Sequence, residues 1–270
     1  MVAYFKLQTN LFMLLGAVLG GIVDILFFEQ LTGSVPGYFK VFFLIMPILV
    51  CVVLARIYAG FWAKRKLQGY TEMLYVRAEA EEFLKVFAPI VRRTPKNTID
   101  YVDGTNKLAY AHEALGQFEE ALALLAELKP EELKNHTLGG IAITCNQQMR
   151  LLLLQENVAE AKEVLEQLRN IAEVALKRAP ALGRNTQECV HLYESWLAVL
   201  EEQPADETYL EEEINLSRNR IHKSEIQLVL ARAYENRGEQ TKADELRLEA
   251  MTTGQGLWAE TKARQLLAVQ

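Results

Sequence analysis

Apolar residues crowd into two stretches near the start of the chain, Leu11 to Phe28 and Val41 to Trp62, interrupted by charge only at Asp24 and Arg56. A helix needs about 20 mostly apolar residues to cross a bilayer core, so the pattern predicts two membrane spans at about 11–28 and 41–62. The first stretch is longer than the apolar core of a signal peptide and no A-x-A site follows it, so it is expected to be retained as a span. The segment between them contains Gly33, Pro36 and Gly37, which break helices and permit a reversal. The two spans therefore read as a helical hairpin, with Pro47 kinking the second.

Beyond Lys66 the pattern changes. Met73, Val76, Ala80, Phe83, Leu84 and Phe87 recur at steps of three and four while Glu72, Glu79, Glu81 and Glu82 fall on other faces. This spacing predicts one amphipathic linker helix within residues 67–95, stopping near Pro89, with a further break at Pro95. From residue 96 onward, apolar periodicity comes in pairs separated by short turns. Three turns share a form: Ala114 to Ala121, Leu154 to Ala161 and Asn236 to Ala243. Gly116 and Gly238 are suited to the left-handed conformation that ends a helix, and Asn157 is expected to do the same in the middle segment. Ala121, Ala161 and Ala243 would let the second helix of each pair approach the first.

These segments resemble the tetratricopeptide repeat family, whose unit of 34 residues is a helix, a turn and a second helix. Leu108, Ala109 and Ala121 match the family's pattern in a unit at about 102–135, and Leu230, Ala231, Tyr234, Ala243 and Ala250 match it at about 224–257. A unit at 142–175 departs from it, with Gln148 and Met149 at the Leu-Gly/Ala pair. Cys189, Tyr193, Trp196, Leu197 and Leu200 read as a degenerate further unit, followed by an acidic helix over Glu207 to Arg220. A last helix with Leu257, Trp258, Leu266 and Leu267 would cap the stack. The expected fold is all-α: a membrane anchor over 1–66, the linker over 67–95 and a repeat-like helical solenoid over 96–270.

Charge is divided unevenly between these parts. Residues 1–66 carry 6 Lys/Arg against 2 Asp/Glu, and residues 67–270 carry 23 against 33. Lys64, Arg65 and Lys66 crowd the end of the second span and Lys6 precedes the first, whereas the connecting loop has only Lys40. Positively charged flanks stay on the cytoplasmic side, so both termini are expected in the cytoplasm and the chain is expected to be a two-pass protein of a bacterial plasma membrane. An acidic soluble part argues against nucleic-acid binding. Gly16 and Gly20 form a GxxxG pair reinforced by Gly21, which would pack the first span against the second or against another copy of the chain. Asp24 reads as a carboxylate near the bilayer interface, too far from Arg56 to pair with it.

The chemistry of a typical active site is not legible. There is no phosphate-binding glycine loop, no nucleophile motif, and no metal-ligand spacing among His112, His136, His191 and His222. Glu188 and His191 are half of a di-iron pattern that lacks its other ligands. No catalytic residue, metal or cofactor is therefore expected. The family resemblance instead implies a groove lined by the opening helices, at Asn106, Tyr110, Glu113, Asn146, Arg150, Leu153, Arg232, Glu235 and Asn236, with Arg150 and Arg232 free to pair with acidic groups. The expected function is a membrane-anchored adaptor or scaffold that holds a protein or peptide partner. The alternative is a hairpin that assembles a membrane complex, with the repeats as spacer or regulator.

Overall fold

The computed structural model describes residues 6–32, 37–129, 131 and 137–268. They form twelve α-helices and one π-helical turn, with no strand among them. The chain divides into two compact units, Met1–Gly69 and Tyr70–Gln270.

The first unit is built on α1 (Lys6–Thr32) and α2 (Gly37–Thr71). Windows at Gln8–Leu26 and Ile45–Val76, with mean hydropathy 1.9 and 2.0, make both helices long and apolar enough to cross a membrane. Leu14, Val18, Ile25, Leu54, Ile57 and Phe61 are exposed, the reverse of a water-soluble core. Gly33 and Pro36, expected at the reversal, lie outside the described residues. The helices meet where side chains are absent. A Cβ on Gly16 would lie 2.7 Å from both Ala55 Cβ and the Cys51 carbonyl oxygen, and one on Gly20 would lie 2.5 Å from Ile48 Cα. Gly21 does not share in this contact, because a Cβ there would meet nothing within 4 Å. Successive helix positions point about 100° apart, so only one of two adjacent glycines can face α2. Nearer the other end, Phe12 packs edge-on against Tyr58 and Trp62, with ring centroids 5.5 and 5.8 Å apart. Asp24 is buried within the unit, and its Oδ2 has no hydrogen-bond partner among the described residues.

The second unit opens with a break that the periodicity does not reveal. The predicted linker is two elements: a π-helical turn (Glu72–Val76) continuing from α2, then α3 (Ala80–Arg92). Ala78 separates them at φ +58°, and the Glu79 N–H donates back to the Met73 carbonyl at 3.0 Å. Nor does α3 stop at Pro89. Proline removes one N–H from the helix, here on an exposed side where water can satisfy the Lys85 carbonyl. The buried stripe Ala80, Phe83, Phe87 and Val91 packs α3 on the helix that follows it.

Four helix pairs come next: α4 (Ile99–Ala114) with α5 (Phe118–Ala126), α6 (Thr137–Leu154) with α7 (Val158–Arg178), α8 (Pro180–Leu200) with α9 (Glu207–Leu216), and α10 (Arg220–Asn236) with α11 (Gln240–Thr253). The opening helices lie side by side, α4 on α6, α6 on α8 and α8 on α10. Ala121, Ala161 and Ala243 are fully buried, which allows the close approach within three of the pairs. Gly116 and Gly238 take φ of +75° and +78° as expected of helix-ending glycines, but the middle turn differs. Glu156, at φ +57°, takes the left-handed position there. Asn157 instead caps α7, its Oδ1 accepting from the Glu160 N–H at 3.4 Å. A short side-chain acceptor satisfies a first-turn amide that Glu156 could not reach as well. The acidic helix is also shorter than expected: α9 ends at Leu216, Ser217 is extended and Asn219 caps α10. The last helix, α12 (Trp258–Ala268), buries Ala259 and Ala263 and packs on α10, α11 and α4. Its Trp258 reaches Phe118, with ring centroids 5.7 Å apart. It also covers Gly116, where a Cβ would lie 2.9 Å from Trp258 Cδ1.

Two alanine substitutions separate the roles of the glycines. Gly20→Ala is expected to destabilise the hairpin by about 1–3 kcal/mol, the usual cost of overpacking, since its new Cβ meets helix backbone that cannot rotate away. Gly21→Ala is expected to be neutral. Thermal unfolding of the full chain in detergent, followed by circular dichroism, reads the difference, and equal behaviour of the two variants would contradict the close contact at Gly20.

Candidate functional site

The residues expected to line one groove are divided between two cavities and the wall that separates them. Asn106, Tyr110 and Glu113 stand on α4, Asn146, Arg150 and Leu153 on α6, each set at steps of three or four that share a helix face. Asn106, Tyr110, Asn146 and Arg150 line a polar cavity of about 220 Å³, joined by Tyr75 and His222. Leu153, Arg232, Glu235 and Asn236 line a larger cavity of about 290 Å³, with α8, α11 and α12 completing its wall. Glu113 has no exposed surface at all.

Between the cavities lies a charged network that is almost wholly buried. The Arg150 guanidinium donates through Nε and Nη2 to Glu113 Oε1, at 3.3 and 3.0 Å, and through Nη2 to Glu225 Oε2 at 2.5 Å. Side-chain exposures of 7%, 0% and 2% for Arg150, Glu113 and Glu225 place these bonds in the interior of the second unit. Gln147 Nε2 donates to the other Glu113 oxygen, and the guanidinium stacks on the Tyr110 ring at 4.5 Å. Arg150 Nη1 lies 3.2 Å from His222 Nδ1, and His222 Nε2 lies 3.3 Å from Glu213 Oε2. A neutral imidazole with its proton on Nε2 satisfies both, accepting from the arginine and donating to the carboxylate.

One cation thus faces two buried carboxylates. Burial pushes the Glu113 carboxyl up to about 8, against the opposing pull of Arg150. It raises Glu225 as well, again against Arg150. Arg150, expected as a free groove cation, is therefore already committed to internal partners.

The larger cavity has a different character. Leu153, Leu154, Trp196, Val199, Leu228 and Val229 give it apolar walls, and Trp258, Lys262 and Leu266 of α12 close one side. Glu156 accepts from Arg232 at 2.9 Å and lies 3.6 Å from Lys262. Partial burial would raise its pKa, but these two cations prevail and hold it below the ordinary carboxylate range. Arg247 is almost fully buried, bonded to Glu235 at 2.6 Å and Asp244 at 2.9 Å. Asn236 Nδ2 donates to the Val199 carbonyl at 2.9 Å. In the smaller cavity the amides are engaged too: Asn106 Nδ2 donates to the Val102 carbonyl at 2.8 Å, and Asn146 Oδ1 accepts from the Tyr193 hydroxyl at 2.8 Å.

Glu225 and Gln147 are the functional candidates that sequence reasoning passed over. A signal for the first existed. Glu225 is a lone charge in the buried run Ser224 to Ala231, and Arg150 is a lone charge of opposite sign within Met149 to Leu154. Charges in such runs are almost never buried unless paired.

The network makes stability depend on pH in a defined direction. Between the ordinary carboxylate value and about 8 the folded chain holds a proton on Glu113 that the unfolded chain releases, so stability falls as pH rises through that window. Glu113→Gln is expected to remove most of this slope, while Arg150→Ala, which strands two buried carboxylates, is expected to cost about 3–5 kcal/mol. Urea unfolding at pH 5.5 and 8 measures both, and a slope unchanged in Glu113→Gln would refute the assignment. Comparison with protein-family models, curated proteins and solved structures finds no match to this chain.

Proposed function

We propose that the chain is a membrane-anchored receptor or scaffold that holds a protein partner in the larger cavity of its helical second unit. The single observation that carries this reading is the cavity itself: apolar walls on α6, α8 and α10, a charged rim, and an outer side formed by only one short helix. Recognition sites have this composition, apolar surface supplying affinity and a few placed polar groups supplying orientation. The anchor is α1 and α2, crossing the bilayer as a hairpin. The cations at Lys64, Arg65 and Lys66 hold the second unit on the cytoplasmic face, in keeping with a bacterial plasma membrane. The stacked helix pairs are read as divergent tetratricopeptide-like repeats, supported by the buried alanines and by the side-by-side packing of the opening helices.

The alternative, a hairpin that assembles a membrane complex through Gly16 and Gly20 with the repeats as spacer or regulator, has less support, because both glycines are occupied by α2.

The reading is tested with a photoreactive amino acid placed at Asn236, on the cavity rim, or at Glu173, exposed on α7. Irradiated membranes are expected to yield a discrete protein adduct from position 236 and none from 173. Filling the cavity with Val229→Trp should abolish that adduct while the chain stays folded by circular dichroism. Identical adducts from both positions, or adducts indifferent to the filled cavity, would sink the proposal.

A further inference from the structure

The larger cavity is apolar on its walls but carries an unsatisfied carboxylate oxygen. Glu225 accepts from Arg150 through Oε2 alone. Its Oε1 has no hydrogen-bond partner among the described residues, and it is absent from the atoms that are both unpartnered and sealed from solvent. Glu225 is 2% exposed and lines the larger cavity and not the smaller, so the open oxygen faces the apolar space. A buried carboxylate with an open acceptor is an expensive group until a donor reaches it.

The resident cations are already engaged: Arg150, Arg232, Arg247 and Lys262 pair with Glu113, Glu225, Glu156, Glu235 and Asp244. None of them bonds to Glu225 Oε1, so a donor to that oxygen has to come from outside the chain. Leu228 and Val229 occupy the helical turn between Glu225 and the rim residue Arg232, which lie seven residues and about 10 Å apart along α10. Short polar side chains from outside would fall short of that depth, whereas the methylene stems of lysine and arginine lie favourably along apolar surface. Trp196 and Trp258, both on the cavity wall, add ring faces that attract a cation.

From this juxtaposition we infer that the larger cavity takes one lysine or arginine side chain of a basic partner segment, its stem against the apolar walls and its charge on Glu225 Oε1. This rests on the receptor reading above and specifies the partner's chemistry.

Trp196 and Trp258 also supply the readout. The full chain carrying Trp62→Phe is placed in nanodiscs of zwitterionic lipid and titrated with short capped peptides that differ at one central position: arginine, lysine, glutamine, norleucine or glutamate. The arginine and lysine peptides are expected to change tryptophan emission with at least tenfold higher affinity than the other three. Glu225→Gln is expected to level that preference. Glu113→Gln, which changes the other carboxyl of the network away from the cavity, is expected to keep it. Each variant leaves Arg150 one carboxylate, so both are expected to fold, with circular dichroism as the check.

Equal affinity for arginine and norleucine peptides overturns the cation pocket and leaves the receptor reading standing, as does tighter binding of the glutamate peptide. A preference that survives Glu225→Gln overturns the assignment to that residue. Displacement of the arginine peptide by equimolar spermidine would assign the pocket to a soluble polyamine and overturn the protein partner. If no peptide alters the emission, the cation pocket is refuted, and the photo-crosslink at position 236 decides separately whether the cavity holds a protein at all.

Discussion

Arg150 and its two carboxylates hold together helices that are far apart in the chain. Glu113 stands on α4, Arg150 on α6 and Glu225 on α10, and Gln147 and His222 extend the bonding from the same helices. Apolar contacts are non-directional and tolerate sliding, whereas a guanidinium fork accepts its partners only along fixed directions. The network therefore determines which turn of α4 faces which turn of α6 and α10, a register that Leu151, Leu153 and Ile226 alone would specify weakly. Burying it is not a cheap source of stability, since desolvating such ions can cost more than their attraction returns. Its consequence is positional: the wall between the two cavities is held in one register by directional bonds from three helices.

The first unit relies on contact of the opposite kind. Gly16 and Gly20 bring α1 to within van der Waals distance of the α2 backbone at Cys51 and Ile48 and of the Ala55 methyl group. Among apolar surroundings there is little hydrophobic gain in joining two apolar helices, so close packing of small residues has to hold them. That explains why many outward positions can be large and apolar while the closest contacts fall at glycine and alanine, with Ala59 and Ala63 buried farther along α2.

Elements governed by local rules were legible in the sequence. The two apolar helices, the paired helices, the glycine turns at 116 and 238 and the buried alanines all follow from period and backbone freedom. What escaped depended on choices made by tertiary context. Periodicity continues across Arg77 and Ala78, so nothing marked the break before α3. Asn157 had two plausible uses, ending one helix or capping the next, and the need for an acceptor at the start of α7 settled it. The nine expected groove positions lie on α4, α6 and α10, but spacing along a helix does not say how deeply a side chain is sunk. Glu113 and Arg150 face each other across α4 and α6 and so bury one another, a relation between residues 37 apart in sequence that no local pattern contains.

The placement of α12 connects the core to the surface. Trp258 covers Gly116 and meets Phe118 at the first helix pair, while Lys262 reaches Glu156 at the second and Ala259 and Ala263 seat the helix against α10 and α11. Only those two alanines are fully buried on α12; Trp258, Leu266 and Leu267 remain half-buried. A helix held through small side chains contributes little apolar burial per turn, roughly in proportion to the area it removes from water. The cavity thus has apolar walls on α6, α8 and α10, and α12 closes one of its sides. The bonds of the Arg150 guanidinium to Glu113 and Glu225 run between α4, α6 and α10 and none reaches α12, so the register they set does not depend on how that last helix is seated.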